Sequence, residues 1–241
     1  MKRLALALTV FTIMCDGMAQ DSEWNKKADI PSAGWHLASA LAGDKIYVFG
    51  GVGRYKVVEE YDPESDTWTS KTPMPSSRAF LGTGVVDGKI YVIGGGVLNS
   101  PSSGKVEIYD PLTDNWSEGA DMITPRHGIA TGVVDGKIYA VGGNNPAVGT
   151  IEMYDPAANA WTDGLSPMPT ARWEPELAVL EGRLFVIGGF INPGNGTSTA
   201  SVEVYDPVSD SWSAKASLPE KRGGGSVINV DGMLYYFGGS T

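Results

Sequence analysis

Cysteine occurs once, at position 15, and histidine twice, at positions 36 and 127. A single cysteine excludes an intramolecular disulfide, so stability has to come from packing. Two histidines outside any ligand motif exclude a histidine-rich metal centre, and neither a metal nor another cofactor is expected. Basic residues are scarce, 18 Lys and Arg against 28 Asp and Glu. The resulting net charge of −10 repels phosphate backbones, which argues against nucleic acid as a partner. No apolar run approaches the roughly 20 residues of a spanning helix. Neither a Gly-x-Ser-x-Gly elbow nor a phosphate-cradling loop is present.

The chain starts like an export signal: Lys2 and Arg3 precede an apolar run from Leu4 to Met14, and Gly17-Met18-Ala19 offers small residues for cleavage. Residues 1–19 are therefore expected to be a signal peptide and 20–241 one folded domain, secreted or periplasmic. A lipid anchor through Cys15 is the weaker alternative, because Met14 is bulky where such sites carry a small residue. Losing Lys2, Arg3 and Asp16 takes the 18 basic and 28 acidic residues to 16 and 27, a net charge of −11. Asn195-Gly196-Thr197 fits a glycosylation acceptor, used only in a eukaryotic secretory host.

What the chain has in abundance is glycine, 32 residues of it, arranged in a period in the forties. Tryptophans recur at 24, 68, 116, 161 and 212. Ten or eleven residues after each comes Gly34, Arg78, Arg126, Arg172 or Arg222, and sixteen beyond that a Gly-Gly pair starts at 50, 94, 142, 188 or 238. Tyr61, Tyr109, Tyr154 and Tyr205 each open a Tyr-Asp-Pro seven residues before a tryptophan. Within a unit, alternation and turn residues mark four strands, a to d. Strands a and b meet at Asp87-Gly88, Asp135-Gly136, Glu181-Gly182 or Asp231-Gly232, pairs suited to a two-residue hairpin. Proline ends strand c, and strand d carries the tryptophan.

Gly-Gly, Val-Glu-Ile-Tyr-Asp-Pro, Trp, Met-Pro, Arg and Gly-Lys-Ile-Tyr-Val-Ile-Gly-Gly resemble the Kelch repeat over nearly the whole mature chain. The resemblance implies an all-β propeller of about five four-stranded blades. The last unit shows strands a and b but no Tyr-Asp-Pro strand, so its blade is expected to be incomplete or closed by the N-terminal strand around Trp24. An open edge there invites self-association.

Strand order places the start of a and the end of b on one rim, together with the length-variable b–c loops, where recognition usually resides. Strand a lines the central channel. Arg78, Arg126, Arg172 and Arg222 are thus candidate ligand contacts, with pairing inside the scaffold as the competing role. Two units break the small-residue pattern of strand a: Gly34-Trp35-His36 in the first and Trp173-Glu174-Pro175-Glu176 in the fourth. Trp35, His36 and Trp173 join the candidate binding set, while Glu174, Glu176 and His127 are candidate acid and base groups. The expected function is non-catalytic binding of an acidic protein, peptide or glycan on the arginine-bearing face. The alternative is a sugar-modifying enzyme, since exported Kelch propellers that interconvert sialic acid anomers are similar in architecture.

Overall fold

A computed structural model describes residues 25–241 apart from 145, 193 and 195. The expectations for the export segment, Cys15, Trp24 and Asn195 lie outside the described residues. Among the described residues the named elements are all β-strands. Four blades have the order a-b-c-d: β1 to β4 (Ala38–Ala42, Lys45–Phe49, Val58–Asp62, Thr67–Ser70), β5 to β8 (Gly82–Val86, Lys89–Ile93, Val106–Asp110, Asn115–Gly119) and β9 to β12 (Ala130–Val134, Lys137–Val141, Ile151–Asp155, Ala160–Thr162) form the first three. The fourth pairs β13 (Glu176–Leu180), β14 (Arg183–Ile187), β17 (Val202–Asp206) and β18 (Ser211–Lys215), and its long b–c loop holds a small hairpin, β15 (Phe190–Asn192) with β16 (Thr197–Ser198). In the fifth unit β19 (Gly223–Val230) pairs only with β20 (Met233–Ser240) among the described residues, so strand c is missing there, as the repeat pattern implied.

The a strands β1, β5, β9, β13 and β19 pack successively side by side around the channel. The b strands of the first four blades are largely buried on both faces, β6 exposing only its first residue, whereas β20 of the fifth unit is mostly exposed. The a–b turns have the left-handed conformation that their Asp-Gly pairs allow, with φ of 50° at Asp87 and 74° at Gly88. Apolar clusters fill the blade interfaces. Tyr47, Phe49, Met74, Leu81 and Tyr109 pack between the first two blades, and similar clusters join the second to the third and the third to the fourth.

The recurrent tryptophans rivet this stack. Trp116 packs on Tyr109 and Phe49, and its indole N–H donates 3.0 Å to the carbonyl of Thr72, which belongs to the connection from the preceding blade. Trp68, Trp161 and Trp212 donate in the same way to Ala28, Ala120 and Ser166. The Gly-Gly pairs serve close approach: a Cβ on Gly94 would stand 2.6 Å from the Arg126 carbonyl oxygen of the next blade, and the Gly95 N–H donates to that oxygen at 2.9 Å.

Candidate functional site

The arginines that open each unit are turned inward. Arg78 is buried and donates to the carbonyls of Val92, Gly94 and Lys105 at the base of its own b–c loop, while pairing with Glu107 of β7 at 2.5 Å. Arg172 repeats this with Val186, Gly188, Ser201 and Glu203, and Arg126 with Ala140, Gly142, Thr150 and, at 3.6 Å, Glu152. Each guanidinium ties strands b and c of its blade together. The expectation that these three arginines contact a ligand at the rim is therefore corrected: inward-facing carbonyls and a buried carboxylate engage their terminal nitrogens, and burial leaves no accessible cationic face. Arg222, whose unit has no strand c among the described residues, stays partly exposed and pairs with Glu220 and the Gly238 carbonyl.

The first unit solves the same problem from the opposite direction. Gly34 stands where the arginine belongs, and Arg54 reaches back from the b–c loop to pair with Glu59 at 2.8 Å and to donate to the carbonyls of Ser32 and Val48. Both members of this pair are buried.

Two residues beyond each of these anchor positions the backbone turns left-handed, ahead of strand a in the first four units and at the start of β19 in the fifth. His36, Phe80, Gly128, Glu174 and Gly224 have φ of 51°, 57°, 61°, 45° and 65°. The turns are linked across blades: the Phe80 N–H donates to the His36 carbonyl at 2.9 Å, Gly128 to Phe80 at 2.8 Å and Glu174 to Gly128 at 2.9 Å. Glycine takes this conformation at no steric cost, whereas other residues pay of order 1 kcal/mol or more. Histidine, phenylalanine and glutamate at three of the seats are thus held in strain, a pattern that concentrates at ligand sites.

These seats crown a channel cavity of about 560 Å³ whose wall includes Trp35, His36, Phe80, Glu174 and Glu176. The His36 and Phe80 rings stack at 4.0 Å, Trp35 lies against both, and His36 Nδ1 meets Glu174 Oε1 at 2.5 Å. Trp35 remains 50% exposed. Glu176, two residues further into the channel, has no ion-pair or hydrogen-bond partner among the described residues. Burial, reinforced by the charge of Glu174, pushes its carboxyl up to about 8. Trp173 packs behind this wall against His36, Phe80 and His127. His127 bonds Ser102 Oγ through Nδ1 at 2.8 Å, and burial lowers its pKa.

A family model described as the KLHDC2/KLHL20/DRC7 Kelch-repeats domain matches residues 11–189, and a Kelch motif model matches 174–219. The chain belongs to the Kelch-repeat family. Over 76 residues, 32% of the chain, it is 41% identical to beta-scruin of Limulus polyphemus, and over 77 residues it is 38% identical to Kelch-like protein 35 of Homo sapiens. Those stretches span only 8% and 12% of the two relatives. The solved structure of YjhT superposes with a TM-score of 0.80 over 94% of this chain and 83% of that one, at 20% identity. The likeness establishes the propeller fold.

Within this Kelch propeller, the structure gathers Trp35, His36, Trp173, Glu174, Glu176 and His127 at one channel mouth, on the rim that carries the b–c loops, and leaves Arg78, Arg126 and Arg172 out of it. Phe80 was not singled out from the sequence. Its signal was there: among the left-handed seats it alone places a large apolar ring where the neighbouring unit has glycine.

Proposed function

We propose that this Kelch domain is a binding module whose recognition surface is the channel mouth, and that its ligand is a polar organic group rather than an acidic one. The observation that carries this reading is the set of strained seats that direct His36, Phe80 and Glu174 over the cavity. An anionic ligand is disfavoured because the cavity wall holds two acidic side chains and no lysine or arginine. A half-exposed tryptophan beside a carboxylate suits hydroxyl-bearing or nitrogen-bearing ligands, which take stacking on one side and hydrogen bonds on the other.

A second reading, proton transfer on a bound sugar, is favoured by one feature, the neighbouring Glu174 and Glu176. A carboxyl whose proton affinity is raised by burial, with a second carboxyl two residues away, offers the acid and base groups that opening a sugar ring requires. The wall lacks the cation that a carboxylated sugar such as sialic acid would need, so a neutral sugar fits this reading better.

Ligand-observed NMR against a mixture of neutral sugars, amines, carboxylates and short peptides tests the module, with Ser39→Trp as the control that plugs the channel. Hits that vanish in the folded Ser39→Trp protein support the mouth as the site. Hits retained in that variant place recognition elsewhere and overturn the proposal.

A further inference from the structure

Resting on that reading of the mouth, we propose that the group received in the channel is an organic ammonium. Three features of the wall point the same way. The ionisable side chains lining the cavity are Glu174, Glu176 and His36, and His36 already faces Glu174 at 2.5 Å. That leaves Glu176 as a carboxyl without a counter-charge. Aromatic faces supply the rest of the surroundings: Trp35 and Phe80 sit edge to face with centroids 6.2 Å apart. An ammonium is attracted both to carboxylates and to the faces of such rings, whereas a carboxylate ligand is repelled by both.

The surroundings of Glu176 decide how binding depends on pH. Glu174 lies beside it, Tyr236 of β20 faces it with a buried hydroxyl that has no hydrogen-bond partner among the described residues, and Arg222 acts on Tyr236 from the same unit. His36 and His127 reach it only through Glu174. Every close acidic neighbour disfavours the ionised form, and burial pushes the Glu176 carboxyl up to about 8. An arriving ammonium stabilises the carboxylate, so binding near neutral pH expels a proton. Affinity therefore rises with pH until Glu176 is ionised in the free protein, by about tenfold between pH 7 and pH 9 for one such group.

The probe is n-butylammonium, compared with the neutral isostere butan-1-ol and with the peptide acetyl-Gly-Lys-Gly-amide, titrated calorimetrically at pH 7 and pH 9 in two buffers of different ionisation enthalpy. The expected result is binding of the amine, the lysine peptide or both, proton release at pH 7, and affinity rising with pH in wild type but not in Glu176→Gln. Binding of the free amine identifies a small-molecule source; binding of the peptide alone identifies a protein lysine. Both results support an ammonium site. Equal affinity for butan-1-ol, or binding with no proton release in wild type, overturns the ammonium proposal while leaving the channel mouth as a binding site. Failure of both cationic probes while the mixture screen still yields channel-dependent hits overturns it as well. Absence of any channel-dependent hit removes the module reading itself. The wild-type pH series stands alone should Glu176→Gln fold poorly.

Discussion

A Cβ on Gly34 would stand 2.6 Å from Cδ of Arg54, so these two positions share one guanidinium seat. In the next three units the arginine enters that seat from the start of strand a; in the first it enters from the b–c loop. The ion pair with strand c is retained although the residue supplying it has moved by twenty positions, from 34 to 54. Removing Arg54 alone leaves Glu59 buried and uncompensated, which costs roughly 3 to 5 kcal/mol. Arg54→Ala is expected to lose stability on that scale in urea unfolding, and Gly34→Arg added to it to restore most of the loss, because φ at Gly34 is not left-handed and the seat has been emptied. Failure of the double variant to recover would show that the seat is not shared.

Arg126→Met is expected to destabilise by about 3 to 5 kcal/mol, since Glu152 then remains in the interior without its partner. Adding Glu152→Met should recover a large part, because replacing a whole buried pair by apolar residues is often neutral. Chemical denaturation of the two single variants and the double variant measures the coupling. Equal effects that simply add would contradict the clamp.

Trp116→Ala removes a hydrogen bond to Thr72 and ring contacts to its own blade and to the preceding one. Because the side chain keeps part of its surface in water, the expected loss is about 2 to 3 kcal/mol, below that of a fully buried aromatic. A thermal midpoint equal to wild type would contradict interblade riveting.

Glu174→Gly relieves a left-handed glutamate but forfeits the contact with His36. The two changes oppose each other, so unfolding free energy should stay within about 1 kcal/mol of wild type. Ligand binding at the mouth should weaken more than tenfold. A variant that loses stability but not binding would reverse the assignment of this residue.

Glu176 also makes stability depend on pH. Its carboxyl titrates near the usual carboxylate range when unfolded and at about 8 when folded, so the folded state holds the extra proton between those values. The favourable linkage is fully present below the unfolded value and is lost as pH rises through 8. Urea midpoints should fall from pH 5 to pH 8.5 in wild type and fall less in Glu176→Gln. A steeper fall in the variant would sink the assignment.

The repeat frame was readable because its spacings are stringent. Tryptophan, Tyr-Asp-Pro and Gly-Gly recur at register points where interblade packing and close backbone approach admit few alternatives. Arg78, Arg126 and Arg172 were placed at the correct rim, but position along a strand does not say which way a long side chain turns. The decisive companions, Glu59, Glu107, Glu152 and Glu203, sit one residue into each strand c and are separated from their arginines by the variable loops, so spacing alone hides the pairing. His36, Glu174 and Glu176 stood out because they interrupt a run of small residues. Phe80 did not, as one aromatic in an apolar stretch looks like core until the left-handed turn reveals where it points.

The linked turns at the mouth separate architecture from chemistry. The bonds from Phe80 to His36, from Gly128 to Phe80 and from Glu174 to Gly128 use main-chain atoms alone, so the side chain on each seat is not needed to keep its neighbour in place. A substitution on one seat leaves these main-chain links in place, although the His36 side chain touches those of Phe80 and Glu174. The lining of such a mouth can vary at residues 36, 80, 128, 174 and 224 while the main-chain frame that carries it stays the same.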